Sequence, residues 1–170
     1  MDLKKNLMLI LVIVIFVSFF LPWVSVESKA LGNVAKILTG KDQKASYGIS
    51  GFNVPVLANS DQSKIMITII KIFEPNITNA DKKSYLIWII PLLAVAMYLV
   101  SNSSKANKWT YLTFGTLGIL IFVGAVFKIV TTDLDKVVLK VNIGYGLWLI
   151  LFGYLGIGIL QIKEFLKLKN

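Results

Sequence analysis

The sequence predicts an all-α integral membrane protein, a four-transmembrane-helix bundle with a roughly 60-residue extracytoplasmic insertion between helices 1 and 2. Three observations predict this fold class. First, 56% of the 170 residues are hydrophobic and the mean hydropathy is +0.74, which is more apolar surface than a soluble domain of this size buries. Second, four apolar runs approach or reach the length that crosses a bilayer. Third, lysines are concentrated in the short segments on one side of these runs.

The four apolar runs are each expected to form a helix across the membrane. A spanning helix needs about 17–25 residues, and lipid offers no hydrogen-bond partner to a backbone N–H or C=O group outside a helix or closed barrel. A transmembrane barrel is disfavoured because the runs are continuously apolar rather than alternating. The predicted spans are residues 7–24, 85–100, 110–131 and 143–162.

Lysine placement predicts the orientation of the spans. The short segments 1–6, 102–109 and 163–170 carry seven lysines, whereas the much longer segments 25–84 and 132–142 carry ten lysines diluted by seven acidic residues. Short lysine-rich segments lie on the cytoplasmic side of multi-pass proteins. We therefore expect a multi-pass protein of the cell membrane with a cytoplasmic N-terminus and a cytoplasmic C-terminus.

The first apolar run also has features of a secretory signal. Lys4 and Lys5 precede it, and Ser28-Lys29-Ala30 would be a tolerable cleavage site. The run is longer than a usual signal core, however, and ends with bulky aromatic residues. We therefore favour a first span that stays in the protein.

The insertion, residues 25–84, is expected to form an extracytoplasmic cap of short helices and extended chain. Apolar residues recur at helical spacing in 27–39 and 61–73, whereas glycine and proline punctuate 47–57. The second outer loop, 132–142, contains alternating apolar residues, so it could add a strand to the cap.

One face of the segment 61–73 is strongly apolar. Such a face can fold onto the tops of the helices, lie in the outer membrane interface or dock onto a partner subunit. Packing within the protein is the use that we favour, and docking makes these side chains candidate partner contacts. The candidates are Ile65, Met66, Ile69, Ile70 and Phe73.

Four absences restrict the chemistry. The chain has no cysteine and no histidine, which excludes thiol catalysis, disulfide exchange and sites that need these ligands for zinc, haem or iron–sulfur clusters. No Asp or Glu lies within a predicted span, so the carboxylates of an intramembrane proton relay are missing. All 18 basic residues are lysine, whereas nucleic-acid recognition favours arginine. We therefore expect no enzymatic activity, no cofactor or metal and no nucleic-acid partner.

Glycines are concentrated in the third and fourth predicted spans. Small residues let helix backbones approach closely in membranes, and residues seven apart lie near one face of a helix. A hinge or a permeation path lined by exposed backbone is the alternative use. The candidate helix-packing residues are Gly115, Gly118, Gly146 and Gly153.

Few polar side chains interrupt the spans. Lys128 is the one ionisable residue inside a predicted span, and Thr113 and Thr116 lie one turn apart in the same run. A lysine near a span end has two interpretations, a side chain that snorkels to the headgroups, which we favour, and a charge on a permeation path. The candidate pathway residues are Lys128, Thr113 and Thr116.

These features favour a non-enzymatic membrane protein that acts by association, through helix packing and its outer loop. It would be an accessory or structural subunit of a membrane complex or a homo-oligomer, with the lipid bilayer and other membrane subunits or further copies as partners. The alternative is a channel or small-solute transporter built from several copies, because a single chain with so few polar groups does not enclose a pore. A lipid-directed enzyme is least favoured, since the outer acidic residues show no paired spacing.

Overall fold

The computed structural model describes residues 3–28, 46–59, 76–104, 106–132 and 139–168, and within these ranges the chain is mostly helical. In chain order, the elements are α1 (Leu3–Ser18), β1 (Pro22–Ser28), β2 (Ser46–Ser50), α2 (Asn53–Ala58), α3 (Ala80–Lys83), a 3-10 helix (Ser84–Trp88), α4 (Ile89–Ser101), α5 (Lys108–Thr131), β3 (Leu139–Ile143) and α6 (Tyr145–Lys167).

Three helices in the described part of the chain are long and apolar enough to cross a membrane. The first is the continuous helix Ser84–Ser101, formed by the 3-10 helix and α4, and the others are α5 and α6. Their lengths are 18, 24 and 23 residues, which fits the thickness of a bilayer. The protein is therefore membrane-embedded, as the sequence predicts.

The first predicted span differs in its bounds from the helix that forms. α1 begins at Leu3 and ends at Ser18, with 16 residues, whereas the residues from Pro22 to Val24 lie in strand β1. The physical reason is local, because proline has no N–H for the helical ladder and disfavours helix at the residue before it. The β-branched residues that alternate after it favour a strand.

α6 is central to the packing of the long helices. It packs most extensively against α5 and also contacts α1, while α1 in turn contacts α4. α4 and α5 meet over a small area. The order of neighbours is therefore α4, α1, α6 and α5, which leaves α5 at the edge of the bundle.

α1 divides its apolar residues between a core face and an outer face. Met8, Val12, Ile15 and Phe19 recur at spacings of three and four residues and are buried, so they form one inward stripe. They join side chains of α4 and α6 in a single core cluster. The outer face is apolar as well, which is typical of a helix surrounded by other helices or lipid; its exposed residues include Leu9, Ile10, Ile13, Phe16 and Val17.

A three-stranded antiparallel sheet lies at the end of the bundle where α1 stops and α6 starts. Its order is β2-β1-β3, so β1 is central. Val24 pairs with Ile49 on one side and with Ile143 on the other. Since β1 directly follows α1 and β3 directly precedes α6, the sheet connects the ends of two neighbouring helices.

Trp23 lies at an irregularity of this sheet, where the pairing of β1 with β2 shifts by one residue. A bulge of this kind redirects a side chain, and the Trp23 indole is buried and packs edge-on against Phe19. Its Nε1 donates a hydrogen bond of 2.9 Å to the Ser18 carbonyl. The Gly144 N–H donates one of 2.7 Å to the Trp23 carbonyl. The bulge therefore ties the end of α1 to the start of α6.

The described parts of the cap agree with the prediction in one place and differ in another. β3 confirms that the segment predicted as the second outer loop, 132–142, contributes a strand to a sheet. Glu27 was expected to begin a helix but lies in β1, because pairing on both sides satisfies the backbone there. Most of the segment 27–39 and the whole of 61–73, with the candidate partner contacts from Ile65 to Phe73, lie outside the described residues.

Candidate functional site

Polar side chains from four helices meet at the lysine-rich end of the bundle, which is the end opposite the sheet. They are Lys4, Ser101, Tyr111, Gln161 and Glu164, and we call them the inner polar cluster. α1, α4 and α5 contribute one residue each, and α6 contributes two. The cluster therefore joins all four long helices, including α4 and α5, which otherwise contact each other over only a small area.

Gln161 and Ser101 form the deeper layer of the cluster, and both are buried. Gln161 Nε2 donates a hydrogen bond of 2.5 Å to Ser101 Oγ and lies 3.7 Å from Met8 Sδ. Gln161 Oε1 is buried and accepts no hydrogen bond within the described part of the chain. A buried acceptor without a donor costs about 1–3 kcal/mol, so this layer is not optimised for stability alone.

Lys4, Tyr111 and Glu164 form the layer nearer to solvent. Lys4 Nζ lies 3.6 Å from Glu164 Oε2 and 4.5 Å from the centroid of the Tyr111 ring. The Tyr111 hydroxyl donates a hydrogen bond of 3.1 Å to the Ser101 carbonyl. The Lys4 and Glu164 side chains are only 19% and 20% exposed, so salt screens their attraction less than that of a surface pair.

An open cleft of about 640 Å³ lies beside the layer of the cluster that is nearer to solvent. The described part of its lining is mostly polar and carries three lysines, Lys4, Lys5 and Lys167, and one carboxylate, that of Glu164. Lys167 Nζ lies 3.0 Å from Glu164 Oε1. Glu164 therefore interacts with two ammonium groups at once, and the described lining residues together keep a net positive charge.

The connection between α4 and α5 forms one wall of the cleft, and both of its ends are fixed by asparagines. Asn102 Nδ2 donates a hydrogen bond of 2.8 Å to the Tyr98 carbonyl at the end of α4. Asn107 caps the start of α5 by accepting a bond of 3.0 Å from the Thr110 N–H, as part of a capping box. Ser103 and Ser104 lie between these two caps and line the cleft.

The four glycines predicted to pack helices lie at contacts between elements. Gly115 and Gly118 lie where α5 crosses α6, Gly153 lies where α6 meets α1, and Gly146 lies where α6 meets β1. A Cβ atom added to Gly118 would lie 2.7 Å from the Tyr154 carbonyl oxygen. That is closer than packed atoms approach, so larger side chains would force the backbones apart.

The three candidate pathway residues lie on the surface of α5. Lys128, Thr113 and Thr116 are all exposed, whereas Gly115 and Gly118 on the opposite side of the helix are buried. The candidate pathway residues therefore do not face the interior of a single bundle. A path that uses them would have to form between copies.

The inner polar cluster was not predicted as a group. Lys4 and Glu164 are 160 positions apart, so their pairing follows from the packing of α1 against α6 and not from local spacing. Two local signals were present. Gln161 is the one carboxamide residue within the predicted spans, and Glu164 follows three residues later, on the same side of a helix.

Among the residues that the structure describes, no group of three or more acidic, histidine or cysteine side chains could hold a metal ion. Comparisons with protein-family models, with curated proteins and with solved structures found no match to this chain.

Proposed function

We propose that this chain is a non-enzymatic membrane protein that acts by association, as an accessory or structural subunit of a membrane complex or as a homo-oligomer. In this proposal α1 is a fourth span, both termini are cytoplasmic, and the sheet lies on the outer side of the cell membrane. The observation that carries the proposal is an exposed face of α5 that contains small and polar residues.

The packing of α1 supports its role as a fourth span. At about 1.5 Å per residue, its 16 residues measure about 24 Å, and the three residues before β1 extend the chain further. It lies between α4 and α6, and both of its faces are apolar. Exposed side chains such as Ile13 and Phe16 would be costly to place in water, so membrane surroundings suit this helix.

The exposed face of α5, which we call the α5 outer face, contains polar and small residues, whereas a face in contact with lipid alone needs only apolar side chains. Thr113, Thr116, Leu120, Gly124 and Phe127 follow each other at spacings of three and four residues, and all are exposed, so they share one face. Threonine and glycine on such a face favour close approach of another helix. We therefore assign this face to contact with a transmembrane helix of a partner subunit or a second copy.

Gly124 gives the sharpest support for this contact. Among the residues that the structure describes, a Cβ atom added there would meet no other atom within 4 Å, so the described fold of the single chain does not require glycine. Glycine inside a helix costs about 1 kcal/mol relative to alanine. A helix that packs closely against this position would account for the small residue.

The substitution Gly124→Leu tests the proposal. The full-length protein would be extracted from its native membrane in mild detergent, and the size and subunit content of the recovered complex would be measured. We expect the wild-type protein in an assembly of defined stoichiometry and the Gly124→Leu protein mainly alone. Ala96→Leu is the matched control, because Ala96 is also a small exposed residue of a long helix, and it should leave the assembly intact. Recovery of the wild-type protein as a monodisperse monomer would contradict the proposal.

A second candidate function is a channel or small-solute transporter made of several copies. It is favoured by one observation, that the candidate pathway residues Thr113, Thr116 and Lys128 lie on exposed positions of one helix. In a ring of copies these residues would line a path between protomers. Liposomes with the reconstituted oligomer should then show a flux that Lys128→Gln changes, and tight liposomes with no flux would exclude this function.

A further inference from the structure

We propose that the cleft beside the inner polar cluster binds a phosphate-bearing ligand, either the headgroup of a lipid or a soluble organophosphate. The cleft belongs to the lysine-rich end of a single chain, so binding there does not depend on association through the α5 outer face. The charge of the lining, the donors that surround the cleft and its size all favour such a ligand.

The charge of the lining favours an anion. Lys4, Lys5 and Lys167 oppose one carboxylate, Glu164, so the net charge of these side chains is +2. Glu164 lies 3.6 Å from the Lys4 ammonium and 3.0 Å from that of Lys167. One carboxylate therefore holds two cations at the edge of the cleft but cannot neutralise both. A phosphate group with one or two negative charges would complete the balance and accept charge-assisted hydrogen bonds.

The remaining lining supplies donors that a phosphate oxygen accepts. Ser103 and Ser104 are exposed at the wall of the cleft, and a hydroxyl group donates readily to phosphate. Their positions are set by the capped ends of α4 and α5, as Asn102 and Asn107 show. The donors and the ammonium groups therefore surround one space on elements that are held in place.

The size and location of the cleft restrict the ligand further. A volume of about 640 Å³ exceeds that of an inorganic ion and falls in the range of sites for small organic molecules. The cleft lies at the lysine-rich end of the helices, where the bundle reaches the headgroup region of a leaflet. A phosphate attached to a small polar group, such as glycerol, fits both properties.

Two lysines on the same helix provide a matched test. Lys167 lines the cleft and contacts Glu164, whereas Lys163 is one turn earlier on α6, is also exposed, and does not line it. The full-length protein in non-ionic detergent would be titrated with glycerol 3-phosphate and with short-chain phosphatidic acid by calorimetry. We expect saturable binding that Lys167→Gln weakens by about tenfold, as loss of one charge-assisted bond predicts, and that Lys163→Gln leaves unchanged.

Glu164→Gln gives a prediction of opposite sign. Removal of the carboxylate frees Lys4 and Lys167 for the ligand and raises the net charge of the lining, so binding should become tighter. Equal affinity for both probes would identify a soluble organophosphate, and binding of phosphatidic acid alone would identify a lipid headgroup. The proposal is overturned if neither probe binds saturably, if Lys163→Gln weakens binding as much as Lys167→Gln, or if Glu164→Gln abolishes binding in a protein that remains folded.

Discussion

Gln161 combines complete burial with an incomplete set of hydrogen bonds. Its Nε2 donates to Ser101, but its Oε1 accepts no bond within the described part of the chain. An unsatisfied buried acceptor costs about 1–3 kcal/mol, and its replacement by an apolar group of similar shape is often neutral or stabilising. The side chain therefore contributes less to stability than its central position suggests.

Gln161→Met should therefore preserve the fold. Methionine has a similar length and fits irregular apolar space, while the Ser101 hydroxyl can donate to a carbonyl of its own helix. We expect the free energy of unfolding, measured in mixed detergent micelles, to stay equal or to rise by about 1 kcal/mol. Ser101→Ala is the control and should lower it by about 1–2 kcal/mol, because Gln161 Nε2 then loses its bond to the hydroxyl and keeps only Met8 Sδ, which is a weak acceptor. A large loss in Gln161→Met would mean that Oε1 has a partner in the membrane-bound protein.

At the scale of elements, the crossing of α5 and α6 depends on backbone contact. A Cβ atom on Gly118 would lie 2.7 Å from the Tyr154 carbonyl oxygen and 3.1 Å from Gly158 Cα. These neighbours are backbone atoms, so they cannot move aside as a flexible side chain could. The two helices would have to separate along their whole contact.

Gly118→Ala should therefore destabilise the protein even though alanine is the better helix former. We expect a loss of about 1–3 kcal/mol in the free energy of unfolding, which is the usual cost of overpacking. Gly124→Ala is the matched control on the same helix, because its Cβ would meet open space within the described part of a single chain. In protein dissociated to single chains it should be neutral or stabilising by up to about 1 kcal/mol. Equal effects of the two substitutions would show that the crossing is looser than the contact distances indicate.

The elements also show which parts of the fold local sequence predicts. The long apolar runs predict α5 and α6, and alternating residues predict β3, because these patterns are set by burial within one element. The predicted first span ends at residue 24, whereas α1 ends at Ser18. The residues around Trp23 are apolar enough for a helix, but the pairing of β1 with β2 and β3 places them in a sheet. The Lys4–Glu164 pair could not be predicted from local sequence patterns, because it depends on which helices become neighbours.

At the scale of the whole molecule, the two ends of the helix bundle carry different structures. The sheet and the buried Trp23 lie at one end, and the inner polar cluster with its cleft lies at the other. If α1 crosses the membrane, the chain on either side of it must face opposite compartments. The number of spans and their orientation can therefore be tested together.

The absence of cysteine makes this test direct, because each introduced thiol is the one reactive cysteine in the chain. Lys5, Asn76 and Ser104 are exposed positions in the first turn of α1, between α1 and α4, and between α4 and α5. In intact cells, a membrane-impermeant maleimide should label Asn76→Cys, whereas Lys5→Cys and Ser104→Cys should react only after the membrane is opened. Labelling of Lys5→Cys together with Asn76→Cys in intact cells would instead place both ends of α1 on one side, leaving three spans. Labelling of Lys5→Cys and Ser104→Cys without Asn76→Cys would keep four spans but reverse the orientation, against the retention of lysine-rich segments in the cytoplasm. Labelling of Ser104→Cys alone would place both ends of α1 in the cytoplasm and leave three spans.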